Sequence, residues 1–130
     1  MISRENAKLV LQKCLETGGD FAEIFEEDVI SNSISILKNK VENALGGRTY
    51  GIGIRIFSGL KCVYAYTNNN SLNSLLDTAT KAALSLGELK ENKTVILNPS
   101  TKAHNIHNIS IYPNTVLYDK KILVMRDAYN

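Results

Sequence analysis

A chain of 130 residues, 44% of them hydrophobic and 22% charged, has the composition of one soluble globular domain, long enough to bury a core and too apolar for a disordered tail. Its 15 basic and 13 acidic residues are mixed along the chain, so no extended basic face is offered to a phosphate backbone, and nucleic acid is not an expected partner. The N-terminal MISRENAKLV lacks the apolar run of a signal peptide and no window approaches the roughly 18 apolar residues of a membrane span, which predicts a cytoplasmic protein with no membrane partner.

In chain order, the first element is a helix opened by Ser3 as cap, with Ala7, Val10, Leu11 and Cys14 on one stripe and Gly18 and Gly19 as its stop. DFAEIFEEDVI and NSISILKNK read as two strands, the second alternating Ile34 and Ile36 with serines. In TYGIGIRIFSG, Ile52, Ile54 and Ile56 alternate with Gly51, Gly53 and Arg55. After Ser58-Gly59, a tight hairpin signal, LKCVYAYT places Cys62, Tyr64 and Tyr66 on one face and Val63 and Ala65 on the other.

From Ser71 the helical period returns with Leu72, Leu75, Leu76, Ala79, Ala83 and Leu86, closed by Gly87. Thr94–Asn98 reads as a short strand and Pro99–Pro113 as loop. A last helix is expected from a cap at Asp119, with Ile122, Met125 and Tyr129 on one stripe. It lacks a glycine stop, which predicts a chain ending inside or just after a helix and hence a fragment.

These elements define an α+β fold: an N-terminal helix, antiparallel hairpins forming a β-meander, and a second helix packed on one sheet face in a two-layer sandwich. The chain is expected to end near the start of a further helix. The isoleucines should point into a core shared with Leu72, Leu75, Leu76 and Ala79, leaving Gly51, Gly53 and Arg55 on the other face. Cys14 and Cys62, both at apolar positions, are expected to be reduced and buried.

Chemistry is sparse. Gly51 and Gly53 do not open a phosphate loop, because Ile56 stands where a dinucleotide fingerprint needs its third glycine and a hairpin follows instead of a helix. They read as strand glycines that admit a close neighbour, a role the small Ala79, Ala82 and Ala83 of the second helix can fill. His104 and His107 lie in an Asn- and Pro-containing loop with no carboxylate between them, so no metal site is expected there. The acidic run Glu23, Glu26, Glu27 and Asp28 reads as a solvated strand face. No serine has a nucleophile motif around it. Two readings of Arg55 stay open, a site for a peptide or partner carboxylate and an intramolecular ion pair.

The succession GGDFAEIFEE, ISILKNKVENA and GIGIRIFSGLKCVYAYTNNNSLNSLLDTATKAA, from Gly18 to Ala83, resembles the N-terminal domain of the TldD/PmbA family of metallopeptidases, which have also been called modulators of DNA gyrase. The later IYPNTVLYDKKILVMRDAYN is similar to the loop and helix that follow in that family. GIGIRIFSG with YAYTNNNS is closer to the TldD branch than to the PmbA (TldE) branch. The resemblance implies a family-type domain at 1–98, a linker at 99–118 and, at 119–130, the start of a helix leading to a C-terminal domain. In the family that later domain carries the zinc-binding H-E-x-x-x-H helix and a cysteine ligand.

Neither the histidines nor the cysteines here match those ligands, so no catalytic or metal residue and no cofactor is expected in this segment, which should be inactive alone. For the complete protein the resemblance implies a zinc peptidase acting on short unstructured peptides. Its partners would be an unfolded peptide and a second subunit, in a homodimer or a heterodimer with a TldE/PmbA-like chain. This domain would shape the channel and the dimer, with Arg55, Tyr64 and Tyr66 as the expected peptide-channel side chains. The competing reading is an independent adaptor module that binds a protein or nucleic acid.

Overall fold

The computed structural model describes residues 1–87, 94–97 and 106–129. The described elements are helix α1 (Arg4–Leu15), strands β1 (Phe21–Leu37), β2 (Lys40–Ser58) and β3 (Lys61–Thr67), helix α2 (Leu72–Leu84), a 3-10 turn at Pro113–Thr115 and helix α3 (Tyr118–Tyr129). The strands form one antiparallel sheet in the order β1-β2-β3. The fold is the expected α+β arrangement, with α2 packed on β3 and on α1.

The chain divides into two compact units, 1–27 with 50–100 and 28–49 with 101–130. In the first, both helices start where a serine hydroxyl can take an orphan amide: Ser3 Oγ accepts from Asn6 N–H and Ser71 Oγ from Ser74 N–H. α1 ends before Gly18, whose φ of +90° lies in the region that favours glycine. Its stripe of Val10, Leu11 and Cys14 is buried, as are Leu75, Ala79, Ala82 and Ala83 of α2.

Ile52, Ile54 and Ile56 complete that core at 1% exposure or less, as the alternation predicts, with Leu72, Leu76, Val63, Ala65, Ala22 and Ile24 packed around them. Burying side chains of this size stabilises by roughly 1.5–3 kcal/mol each. The strand partners continue the pattern, Ile54 opposite Ala65 and Ile56 opposite Val63. Gly19 carries the chain from α1 into the sheet at a tight spot: a Cβ there would lie 2.8 Å from Ile56 Cγ2 and 3.1 Å from Leu15 Cδ2. The β2–β3 hairpin turns on Gly59-Leu60, since Ser58 still pairs with Lys61. The turn therefore falls one residue later than the Ser58-Gly59 dipeptide suggests. Gly59, with φ +56°, takes the first central position, where two-residue hairpins place glycine.

At the margin of this core sits Glu26. Its carboxylate accepts from Ile2 N–H at 2.8 Å and Tyr50 Oη–H at 2.9 Å, and lies 3.4 Å from the Met1 ammonium. Partial burial works against the charge, but the donors and the ammonium outweigh it and hold the carboxyl below its usual range.

In the second unit the hairpin closes at Lys38 and Asn39, both at positive φ (49° and 62°), as a two-residue type I′ turn requires. Asparagine is among the residues that tolerate this conformation, and no glycine is used. Asp28 is gripped by Arg48 through two 2.7 Å bonds, one to each carboxylate oxygen, which holds the Asp28 carboxyl below its usual range. Tyr118 of α3 donates its hydroxyl to Asn32 Oδ1 at 3.0 Å, over Gly46, where a Cβ would lie 2.5 Å from the hydroxyl oxygen. Lys121 lies over the Tyr118 ring, 5.2 Å from its centroid.

Several expectations are corrected. DFAEIFEEDVI and NSISILKNK are one strand, because no residue between them breaks extended backbone; Ser31 to Ser33 continue the strand to the turn at Lys38. Thr94–Leu97 form no strand, and Asn98 lies outside the described residues. The Leu97 carbonyl accepts from the Arg4 guanidinium instead of from a neighbouring strand. Helix α3 begins at Tyr118, so Asp119 sits in its first turn rather than capping it; Ile122 and Met125 are half-buried, but Tyr129 is exposed. Cys62 is exposed, because it shares a face with Tyr64 and Tyr66 while Val63 and Ala65 face the helices.

The two thiols should therefore behave oppositely. Burial pushes the Cys14 thiol up to about 12 and shields it, so a thiol reagent at pH 8 should modify one cysteine in the folded chain, at Cys62, and both in denaturant. Mass spectrometry of alkylated peptides checks the assignment, and fast labelling of Cys14 would contradict it. For Glu26, a carboxyl held low in the folded state stabilises above its ordinary value of 4.5 and loses that contribution as pH falls below it. Melting temperatures from pH 7 to 3 should fall more steeply for the native chain than for Glu26→Gln, with the two curves converging in acid.

Candidate functional site

With one sheet face committed to the helices, the other carries alternate residues of all three strands: Phe21, Glu23 and Phe25 from β1, Gly53, Arg55 and Phe57 from β2, and Cys62, Tyr64 and Tyr66 from β3. Arg55 stands opposite Tyr64, and Gly53 opposite Tyr66. The Phe21 and Phe57 rings are tilted against each other at 5.9 Å between centroids. Phe25, Tyr64 and Tyr66 are 65%, 60% and 74% exposed, so this is an open aromatic surface.

At its centre Arg55 Nη1 lies 3.1 Å from Glu23 Oε1, with both side chains about half exposed. Beside the pair is a cavity of about 320 Å³ lined by Glu23, Ile24, Phe25, Gly53, Arg55 and Tyr64. Its form depends on Gly53. A Cβ at that position would meet Tyr64 Oη at 2.8 Å and Cε2 at 2.9 Å, so the tyrosine ring lies directly against bare backbone. The close neighbour of this glycine is therefore Tyr64 from the next strand, on the face away from α2. Among the described residues, its chain neighbours aside, no atom comes within 4 Å of the equivalent position at Gly51.

Of the expected channel residues, Arg55 and Tyr64 come together in the cavity, while Tyr66 shares their face without lining it. Arg55 makes the intramolecular ion pair that was one of its two readings. Sequence reasoning missed Glu23 and Phe25 as its neighbours. The signal was present, since Phe21, Glu23 and Phe25 share the parity opposite to Ala22 and Ile24, but the pairing of β1 with β2 decides which residues meet.

The acidic run is divided among separate partners, Glu23 with Arg55, Glu26 with Ile2 and Tyr50, and Asp28 with Arg48. His107 is exposed and His104 lies outside the described residues. Among the described residues, no three of His, Cys, Asp and Glu gather where they could hold a metal ion, so this donor set does not fit a zinc centre. Also among the described residues, no helix is long and apolar enough to cross a membrane.

Residues 22–83, from the second residue of β1 to the last turn of α2, match the model of PmbA/TldA metallopeptidase domain 1. That segment is similar to the first domain of the PmbA/TldD metallopeptidases. Among curated proteins, none matches the chain. The matched segment contains every residue that lines the cavity, together with Tyr66 and the buried isoleucines.

Filling the space over Gly53 should move one ring and leave the fold intact. Gly53→Ala places its Cβ on the outer face, where Tyr64 can swing into solvent, and it removes an interior strand glycine that costs about 0.5–1 kcal/mol. Stability should change by less than about 1 kcal/mol. The ring-current shift of the residue-53 Hα should collapse, a change readable by NMR; an unchanged shift would mean that the ring does not rest there.

Proposed function

We propose that this chain supplies the N-terminal, non-catalytic domain of a TldD-type zinc peptidase, in which the outer sheet face forms part of the wall along which an unfolded peptide runs. The observation that carries the reading is the cavity at Glu23, Phe25, Gly53, Arg55 and Tyr64, set in an exposed aromatic surface within a segment similar to a metallopeptidase domain. An ion pair flanked by aromatic rings can hold an extended chain, since tyrosine and phenylalanine offer rigid contact area and arginine donates to carbonyl oxygens.

Catalysis in this reading belongs to a later domain, where zinc would supply an activated water. The described residues of this chain bind and orient. The complete enzyme would act in the cytoplasm as a homodimer or together with a TldE/PmbA-like subunit, with Tyr66 extending the wall beyond the cavity.

The test uses the complete protein with its partner subunit and a short fluorogenic peptide. Arg55→Ala should raise KM about tenfold, equivalent to about 1.4 kcal/mol of binding, and leave kcat nearly unchanged. Unaltered kinetics in a well-folded variant would make Arg55 a structural residue and remove this face from the peptide path.

A further inference from the structure

The cavity on the outer face holds a donor and an acceptor side by side. Arg55 and Glu23 meet at 3.1 Å through one nitrogen and one oxygen. A guanidinium carries five N–H donors and a carboxylate two acceptor oxygens, so the pair has groups left to offer a third partner. A carboxylate is a poor third partner, because Glu23 already balances the charge of Arg55 and would repel another anion. An amide suits the pair better: its C=O can take a guanidinium N–H while an N–H of the same extended chain reaches the carboxylate.

The walls define the rest of the ligand. Phe25 and Tyr64 are both aromatic and mostly exposed, and the Tyr64 ring rests on Gly53, which has no side chain of its own. At about 320 Å³ the space lies at the small end of ligand pockets, roughly 300–1,000 Å³, which suits one large side chain rather than a folded surface. Aromatic rings pack on aromatic walls with about 0.5–1.5 kcal/mol beyond the area they bury.

We propose that this cavity binds an extended peptide at one residue, holding its main-chain amide between Arg55 and Glu23 and its aromatic side chain against Phe25 and the Tyr64 ring that rests on Gly53. The proposal deepens the reading of this face as a peptide wall and rests on it. It specifies what is gripped, an internal aromatic residue rather than a chain terminus.

The experiment titrates the isotope-labelled 130-residue chain with the capped peptide acetyl-Ser-Phe-Ser-Lys-Ser-amide and follows backbone amide shifts. Saturable shifts should cluster at Glu23–Phe25, Gly53–Arg55 and Tyr64. Replacing the peptide's phenylalanine by glycine should weaken binding at least about tenfold. The same peptide with a free C-terminal carboxylate should bind no more tightly than the capped form. In Glu23→Gln, which removes the balancing charge but keeps an acceptor, the free-carboxylate peptide should gain about tenfold and overtake the capped one. Gly53→Ala, its fold checked by circular dichroism, should weaken the capped peptide about tenfold by forcing the Tyr64 ring off its floor.

The proposal is overturned if the capped peptide gives no saturable shifts, if the shifts lie elsewhere, or if the unaltered chain prefers the free carboxylate. Binding of the capped peptide here, with cleavage by the complete protein indifferent to Arg55→Ala, would leave the cavity standing and remove the peptidase-wall reading. Cleavage that depends on Arg55, with no capped-peptide binding here, would do the reverse.

Discussion

The first unit depends on the burial of three isoleucines from one face of one strand. Ile52, Ile54 and Ile56 have almost no exposure, and they remain so because α1 and α2 lie together on the same side of β2. Their neighbours are fitted to that requirement. The small Ala79, Ala82 and Ala83 let α2 come close, Cys14 and Val10 fill the space from α1, and Gly19 lets the chain pass within contact distance of Ile56 as it enters the sheet. A larger residue at Gly19 would press on core atoms that cannot move into solvent, whereas one at Gly53 would press on a ring that can.

The outer face follows from the same alternation. A strand whose even positions are committed to the core presents its odd positions to whatever lies beyond, so Gly53, Arg55 and Phe57 are released from packing duty. The Glu23–Arg55 pair illustrates the consequence. A half-exposed pair of this kind contributes about 0–1 kcal/mol to stability, too little to explain why an open aromatic surface should be centred on it. On the proposed reading, the pair is there for the peptide rather than for the fold.

Much of this was legible in the sequence because it is local. Ser3 and Ser71 announce their helices by position alone, Gly18 marks the end of α1, and the Ile-x-Ile-x-Ile alternation fixes which way β2 faces before any partner is known. What could not be read depends on which strand lies beside which and in what register. Glu23 becomes the partner of Arg55 only when β1 pairs with β2, and Tyr64 covers Gly53 only because β3 brings Tyr66 opposite that glycine. Cys62 looked like a core residue by composition, yet its parity sets it with the exposed tyrosines. The polar stretch around Ser31 to Ser33 looked like a break, but serine is tolerated in an exposed strand that needs no buried face.

The separation of duties along β2 has an evolutionary meaning. When stability and recognition reside on the same side chains, a change in ligand preference carries a folding cost. On the proposed peptide-wall reading they alternate residue by residue, so the outer positions could drift to new peptide preferences while the isoleucines hold the scaffold unchanged. A lineage could broaden or narrow what this face accepts through substitutions at Glu23, Phe25, Arg55 or Tyr64, none of which belongs to the buried core. The strand is a scaffold on one side and an adaptable surface on the other.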